Sequence, residues 1–129
     1  PDSMKPGDLY WYNDCYGSRG AISHSNDQVL VAPVFHAGKR CGFVMGWAHF
    51  SDIGGLRAGS ISPDTTDIFQ EGIIVPPTKL VDAGVTNEAA LKMLNGVEAR
   101  DVAAFEEAGE GLDKACENCH MTYWYLPDK

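Results

Sequence analysis

Two pairs of a histidine and an aspartate, with the same spacing, stand on either side of an apolar stretch. His24 and Asp27 are three residues apart, and His49 and Asp52 repeat that spacing. Two imidazoles and a carboxylate on one side of a metal ion form a facial site that leaves positions open for substrate, typically with Fe, Mn or Zn. The alternative is that these residues form turns and surface groups near strand ends. The spacing alone leaves both interpretations open.

A second group with chemical potential lies near the end of the chain. Cys116-Glu-Asn-Cys119-His120 matches the C-x-x-C-H pattern of covalent c-type haem attachment. Two thiols one helical turn apart each add to a haem vinyl group, and His120 becomes the axial iron ligand. The alternatives are a structural zinc site, which needs two further ligands, and a helix that simply buries two thiols. The motif predicts haem c and, with it, a redox partner.

The residues between the two histidine–aspartate pairs predict a β-hairpin. Two β-branched and aromatic runs, 29–35 and 41–48, are separated by the turn-forming residues 36–39. Antiparallel pairing places the residue that enters one strand beside the residue that leaves the other, so the hairpin is expected to bring the two pairs together. Pro33 predicts an edge or a bulge, because proline cannot donate to a ladder.

The other elements are predicted from caps and periodicity. The aromatic run 8–13 predicts a further strand, and the Gly- and Pro-rich stretch 52–77 predicts a long functional loop. Thr86 is expected to cap a helix that runs through Asn95 and stops at Gly96. The fold class is therefore α+β: a small antiparallel β-sheet with long loops followed by C-terminal helices. The second of these helices is predicted from apolar residues at a spacing of three and four, namely Val102, Phe105, Leu112, Cys116, Cys119 and Tyr123.

Composition limits the partners and suggests two segments. The 129 residues are 44% hydrophobic and carry a formal charge of −8, which argues against nucleic acid and anionic membranes as partners. No run of 18 apolar residues is present, so no membrane span is expected. Residues 1–97 contain 12 of the 14 glycines and a charge of −3, whereas residues 98–129 carry −5. The change predicts a boundary near residue 97.

Several blocks in the first segment resemble the hydantoinase B family, which includes the oxoprolinases and the large subunits of acetone and acetophenone carboxylases. The blocks lie between about residues 6 and 94 and include Ser23-His-Ser-Asn-Asp27, Trp47-Ala-His49 and Asp52-Ile-Gly-Gly55. The resemblance implies a divalent metal held by His24, Asp27 and His49. Where many relatives have a second histidine after the later one, this chain has Phe50.

The same resemblance implies ring-amide hydrolysis or carboxylation of a small carbonyl compound, together with an ATP-using partner subunit of the hydantoinase A kind. No phosphate-binding loop pattern is present in this chain. Asp52 is the candidate catalytic residue, as a partner that orients a ligating imidazole. The alternative is that Asp52 caps the turn at Gly54-Gly55. A fragment of this kind is expected to be incomplete as a catalyst alone.

Residues 98–129 resemble the last helix of a bundle-type (cytochrome c'-like) c-type cytochrome. This resemblance implies an alternative function, a haem-binding electron-transfer protein. It also implies a periplasmic location, whereas the hydantoinase B resemblance implies the cytoplasm. The localisation is therefore unresolved by the sequence. A third possibility is a joined sequence in which pieces of two families meet near residue 97.

Overall fold

A computed structural model describes residues 3–19, 21–59 and 62–99 of the chain. Within these ranges, five antiparallel strands form one sheet in the order β3-β2-β1-β4-β5, and one α-helix follows them. A single turn of 3-10 helix, Ile68–Glu71, interrupts the long connection between β3 and β4. The elements are β1 Leu9–Tyr12, β2 Asp27–His36, β3 Lys39–His49, β4 Thr78–Asp82, β5 Val85–Thr86 and α1 Glu88–Ala99.

The predicted small antiparallel sheet, its hairpin and the first helix are confirmed, and two details differ. Thr86 lies in β5, and the helix is capped by Asn87, whose Oδ1 accepts a hydrogen bond from Ala90 N–H at 3.1 Å. The predicted stop at Gly96 is wrong, because α1 continues to Ala99 with Gly96 buried inside it. The second predicted helix lies, from residue 100 onward, outside the described residues.

Pro33 lies within β2 at a place where the missing N–H does not interrupt the sheet. β1 pairs with β2 through Val29, Leu30 and Val31, so among the described residues no strand lies beside Pro33 on that side. The register between β2 and β3 shifts one residue beyond Pro33, between Val34 and Phe35. The proline thus occupies a local edge beside a bulge, as its chemistry requires.

The core lies on one face of the sheet, under α1. Trp11 is fully buried at its centre, and its indole Nε1 donates a hydrogen bond to Gln28 Oε1 at 2.8 Å. Burial of the apolar side of α1, rather than helix propensity, fixes the helix on β1 and β4. The buried apolar residues of this core are Trp11, Ile53, Val75, Leu80, Ala90, Met93 and Val97.

The opposite side of the molecule is more open, because β3 is an edge strand with exposed apolar side chains. Phe43, Met45 and Trp47 are all more than half exposed. Cα pairing sets Trp47 beside Val29 and Met45 beside Val31. Paired residues share a face, so these side chains lie on the same face as the pair at the end of the hairpin, Asp27 and His49.

The long connection after β3 is held against the segment before β4. Ile73 N–H donates to Ile53 O at 2.9 Å, and Gly54 and Gly72 form an isolated bridge. Gly72 has φ of 118°, and a Cβ there would collide with the carbonyl oxygen of Ile53. A glycine is therefore required where the two segments cross. Among the described residues, no helix is long and apolar enough to cross a membrane.

Asp8 ties the start of β1 to the β4–β5 hairpin. Its buried carboxylate accepts from Lys5 N–H at 2.9 Å and Ala83 N–H at 2.8 Å, and Lys79 Nζ lies 3.2 Å away. Burial raises the pKa of this carboxyl, but the two main-chain hydrogen bonds and the Lys79 ammonium outweigh burial. The pKa of Asp8 therefore lies well below its usual value.

This network predicts an acid-dependent loss of stability that involves Asp8. Because the folded-state pKa is lower than the unfolded one, the stabilisation is complete above pH ~4 and is lost as the pH falls through the folded-state pKa. Asp8→Asn should lower the melting temperature at pH 7 and flatten its decline between pH 5 and 2. Thermal denaturation across this range measures both effects, with Asp64→Asn as an exposed control. An acid decline for Asp8→Asn as steep as that of the wild type would contradict the assignment.

Candidate metal centre

The hairpin places Asp27 and His49 directly opposite each other, at the first residue of β2 and the last of β3. The pairing continues one step beyond the strands. Phe50 N–H donates to Asn26 O at 2.9 Å, and Asn26 Nδ2 donates to Phe50 O at 2.7 Å. These two hydrogen bonds hold the strands together at the end of the hairpin that is away from the turn. The distance between the side chains of Asp27 and His49 is therefore set by the register of the two strands and not by the conformation of a loop.

The loop before β2 adds His24 to this pair. His24 Nδ1 lies 3.6 Å from Asp27 Oδ2, and His49 Nδ1 lies 2.7 Å from Asp27 Oδ1. The two imidazole rings meet edge to face with centroids 6.0 Å apart. One donor atom from each of the three residues lies within 4.8 Å of the others. Two imidazole nitrogens and a carboxylate oxygen are a donor set that suits Fe, Mn or Zn.

The triad is open to solvent on one side and anchored on the other. The side chains of His24 and His49 are 43% and 38% exposed, whereas that of Asp27 is 15% exposed. In the described ranges, the side chains recorded within ion-pair distance of the Asp27 carboxylate are those of His24 and His49. A half-buried carboxylate with two imidazoles as its partners is suited to binding a cation, and a cation can reach it from the exposed side of the triad.

The structure places the carboxylate of Asp52 in the turn that follows β3. Its Oδ1 accepts a hydrogen bond from Gly54 N–H at 2.9 Å. This bond corresponds to the turn-capping alternative for Asp52, and the cluster of donor atoms consists of His24, Asp27 and His49. A catalytic role for Asp52 stays a prediction.

Asn13, the last residue of the aromatic run predicted as a strand, fixes the loop that carries His24. Its side chain is fully buried and donates through Nδ2 to Ser25 O and Ile73 O, both at 2.7 Å. Its Oδ1 accepts from Val75 N–H at 2.5 Å. One amide thus joins three segments that are distant in sequence. In the sequence, the only signal of this role is an asparagine at the end of a predicted strand, and that signal does not identify its partners.

A short polar chain lies behind the loop that carries His24. Cys15 Sγ and Ser25 Oγ are 3.8 Å apart, and Ser25 Oγ donates to Glu71 Oε2 at 3.2 Å. Burial raises the pKa of the Cys15 thiol, with the hydrogen bond to Ser25 acting against it. The thiol is thus kept protonated at neutral pH. Cys15 lies in the loop after β1 and contacts Ser25 rather than the triad.

The predicted haem-binding residues, Cys116, Cys119 and His120, lie outside the described residues. The boundary predicted at residue 97 falls within α1, which runs from Glu88 to Ala99. The assignment of 98–129 to a separate cytochrome-like segment therefore stays a prediction.

Comparison with known proteins identifies relatives at the level of sequence. The chain is 39% identical over 91 residues to an uncharacterized protein of Methanocaldococcus jannaschii, covering 70% of this chain and 16% of that protein. It is 32% identical over 94 residues to the beta subunit of the caprolactamase of Pseudomonas jessenii, covering 72% of this chain and 16% of that relative. The chain therefore spans about one sixth of the length of these relatives.

A solved structure shows the same likeness in three dimensions. The crystal structure of the ATP-dependent caprolactamase from Pseudomonas jessenii matches with a TM-score of 0.62 and 25% identity, over 96% of this chain and 22% of that chain. The family model described as Hydantoinase B/oxoprolinase matches residues 1–107. The hairpin with His24, Asp27 and His49 lies inside this match. The chain belongs to the hydantoinase B/oxoprolinase family.

Proposed function

We propose that the chain supplies the metal-binding element of a hydantoinase B-type protein that acts on the carbonyl group of a small amide or ketone. The observation that carries the proposal is the convergence of His24, Asp27 and His49, with donor atoms within 4.8 Å of one another. Two of the three are held opposite each other by strand register. The names of the relatives, which include 5-oxoprolinases and a caprolactamase, support the reaction class.

Each residue of the triad has a distinct task in this proposal. Asp27 supplies the negative charge, and its position at the start of β2 makes it the rigid member. His49 and His24 supply neutral nitrogen donors on either side of it. A divalent metal bound there would polarise a carbonyl oxygen as a Lewis acid. The exposed side of the triad leaves room for that carbonyl group, and Asn13 and Asn26 keep the donors in place.

We propose that the complete activity requires protein segments in addition to the residues of this chain. The chain spans 16% of the caprolactamase beta subunit, and another relative is named as one component of a putative D-/L-hydantoinase of a Pseudomonas strain. We therefore propose an ATP-using, hydantoinase A-like partner. The exposed apolar edge strand β3, with Val44 62% exposed, is a surface that suits a protein contact.

Elemental analysis of the purified chain tests the metal proposal. After removal of loosely bound ions, we expect about one equivalent of Fe, Mn or Zn per chain, and the pure apoprotein should take up one equivalent when each metal is supplied separately. Less than a tenth of an equivalent with all three metals would refute the proposed function.

The C-x-x-C-H motif supports a second proposal, covalent haem attachment through Cys116 and Cys119 with His120 as axial ligand. When the chain is expressed in the periplasm with the haem-attachment machinery, the denatured protein should keep a haem absorbance band. Cys116→Ala with Cys119→Ala should abolish the band, whereas Cys41→Ala should not. Wild-type protein that contains no covalent haem under these conditions would exclude the electron-transfer alternative and, with it, the main argument for a periplasmic location.

A further inference from the structure

His24 is the one donor of the triad whose position does not follow from strand pairing. Asp27 and His49 face each other in the register of β2 and β3. His24 lies in the loop before β2, and its Nδ1 is 3.6 Å from the Asp27 carboxylate, against 2.7 Å for His49 Nδ1. The place of the His24 imidazole therefore depends on the residues that hold this loop.

Ser25, the next residue along the chain, is the anchored point of the loop. It is 1% exposed, and its carbonyl oxygen accepts from Asn13 Nδ2 at 2.7 Å and from Gln28 Nε2 at 3.4 Å. Its hydroxyl donates to Glu71 Oε2 at 3.2 Å. One set of bonds holds the main chain of Ser25 and the other holds its side chain. Together they restrict the direction of the chain at His24.

Glu71 is itself anchored within the connection between β3 and β4. It ends the 3-10 turn Ile68–Glu71, which a capping box closes at its start. Gln70 O accepts a hydrogen bond from Leu56 N–H at 2.8 Å. The carbonyl oxygen of Glu71 lies so close to Gly55 that a Cβ there would collide with it. The carboxylate of Glu71 therefore binds the Ser25 hydroxyl from a main chain that is already held in place.

The hydrogen bond between Ser25 and Glu71 spans a gap that packing does not fill. A cavity of about 190 Å³ opens between the 3-10 turn and the loop, and its lining includes Ser23, Cys15 and Glu71. Cys15 Sγ lies 3.8 Å from Ser25 Oγ, but a thiol is a weak acceptor compared with a carboxylate. Loss of the Glu71 carboxylate would therefore leave the Ser25 hydroxyl without an equivalent partner.

We propose that Glu71 is a positioning residue for the metal centre, which holds His24 in the place where its imidazole completes the donor set of Asp27 and His49. It acts through the Ser25 hydroxyl and touches neither the metal nor its ligands. The inference rests on the proposed function, because the imidazole that it positions is a ligand of the proposed metal. It adds that the long connection after β3 sets the strength of metal binding.

Three substitutions test the proposal by competition titration with Zn. Glu71→Ala removes the acceptor and should weaken Zn binding about tenfold, the lower end of the effect typical of outer-shell partners. Ser25→Ala removes the donor and should have the same effect. Glu71→Gln keeps the volume and an acceptor oxygen, so its affinity should stay within about threefold of the wild type. Glu88→Ala, at an exposed position of α1, is the control and should leave the affinity unchanged.

A loss in Glu71→Gln equal to that in Glu71→Ala would assign the effect to the charge of Glu71 and would overturn the positioning role. A double-mutant cycle then shows whether Glu71 acts through His24. In a His24→Ala protein, Glu71→Ala should cause no further loss of Zn affinity, because the ligand that Glu71 positions is absent. A second loss of the same size in that background would also overturn the proposal. Circular dichroism confirms that every variant is folded at the temperature of measurement.

The metal-free chain gives a readout that does not depend on the proposed function. The rings of His24 and His49 meet edge to face with centroids 6.0 Å apart, so a nuclear Overhauser cross-peak between their ring protons reports the position of His24. The cross-peak should be present in the wild type and in Glu71→Gln and strongly reduced in Glu71→Ala. A cross-peak that is absent from the wild type, or equally strong in Glu71→Ala, would refute the inference.

The two proposals can therefore fail separately. If the chain binds no metal but the cross-peak depends on Glu71 as expected, the positioning of His24 stands and the proposed function fails. If the chain binds metal but Glu71→Ala matches the wild type in both cross-peak and Zn affinity, the proposed function stands and the role of Glu71 is refuted.

Discussion

Replacing Asp27 by asparagine is expected to weaken metal binding by ~100-fold or more, because loss of a ligand exceeds the effect typical of its outer-shell partners. Asp27 contacts both other members of the triad, at 2.7 Å from His49 Nδ1 and 3.6 Å from His24 Nδ1. Asparagine keeps the shape of the side chain and the strand propensity but removes the charge. The loss should therefore appear in metal affinity and leave the sheet intact.

Competition with a chromophoric chelator measures the affinity for Zn, and circular dichroism confirms that each variant is folded. His49→Ala and His24→Ala should also lose affinity. His36→Ala is the matched control, because His36 is exposed and lies at the turn end of β2, opposite Lys39. An Asp27→Asn protein with wild-type affinity would place the metal elsewhere in the chain. So would an equal loss of affinity in the His36→Ala protein.

The same variants should separate in thermal denaturation. A ligand that binds only the folded state stabilises it by about 2.7 kcal/mol when present at a hundred times its dissociation constant. Zn should therefore raise the melting temperature of the wild type and of His36→Ala, and leave that of Asp27→Asn nearly unchanged. A metal response in Asp27→Asn equal to the wild type would show that the ion stabilises the fold without the triad.

The hairpin shows which part of the site could be predicted from local sequence. Two β-branched runs around a four-residue turn predict antiparallel pairing, and pairing by itself brings residues 27 and 49 together. The structure confirms this juxtaposition with Asp27 directly opposite His49. His24 joins this pair because it lies three residues before Asp27 in the chain, within reach of the same carboxylate. Periodicity and turn chemistry were sufficient to predict that Asp27 and His49 meet, because that contact depends on one hairpin. The set of three metal ligands was implied by the resemblance to the hydantoinase B family.

The surroundings of the triad could not be predicted in the same way. Asn13 binds main-chain groups that lie 12, 60 and 62 residues further along the chain. Ser25 donates to Glu71, 46 residues away. These partners meet because β1 lies between β2 and β4, an order that the hydrophobic pattern of single strands does not specify. The cap of α1 was misplaced by one residue for a related reason, since β5 pairing with β4 withdraws Thr86 from the helix.

Asn13 is expected to contribute more to stability than any exposed polar residue of this chain. Its amide satisfies the carbonyl groups of Ser25 and Ile73 and the N–H of Val75, around a side chain with no solvent exposure. Removing one partner of a buried hydrogen bond costs about 1–3 kcal/mol for each group left unpaired. Asn13→Ala should therefore lower the free energy of unfolding by about 3 kcal/mol or more.

The isosteric variant identifies the physical cause of that loss. Asn13→Asp keeps the volume and the acceptor for Val75 N–H but directs a carboxylate oxygen at two carbonyl oxygens. If hydrogen bonding and not packing is responsible, Asn13→Asp should be at least as destabilising as Asn13→Ala at pH 7. Urea denaturation measures all of these changes. Asn95→Ala, at an exposed position of α1, is the control and should be neutral or slightly stabilising, because alanine favours helix.

The Asn13 variants also test whether the loop positions the metal ligands. Ser25, whose carbonyl Asn13 holds, directly follows His24, so loosening this loop moves one ligand and leaves Asp27 and His49 paired by the hairpin. At temperatures where Asn13→Ala is still folded, its Zn affinity should fall by about tenfold, less than for Asp27→Asn. Wild-type affinity in a destabilised but folded Asn13→Ala protein would show that the strand pair alone holds the site and that the loop serves only stability.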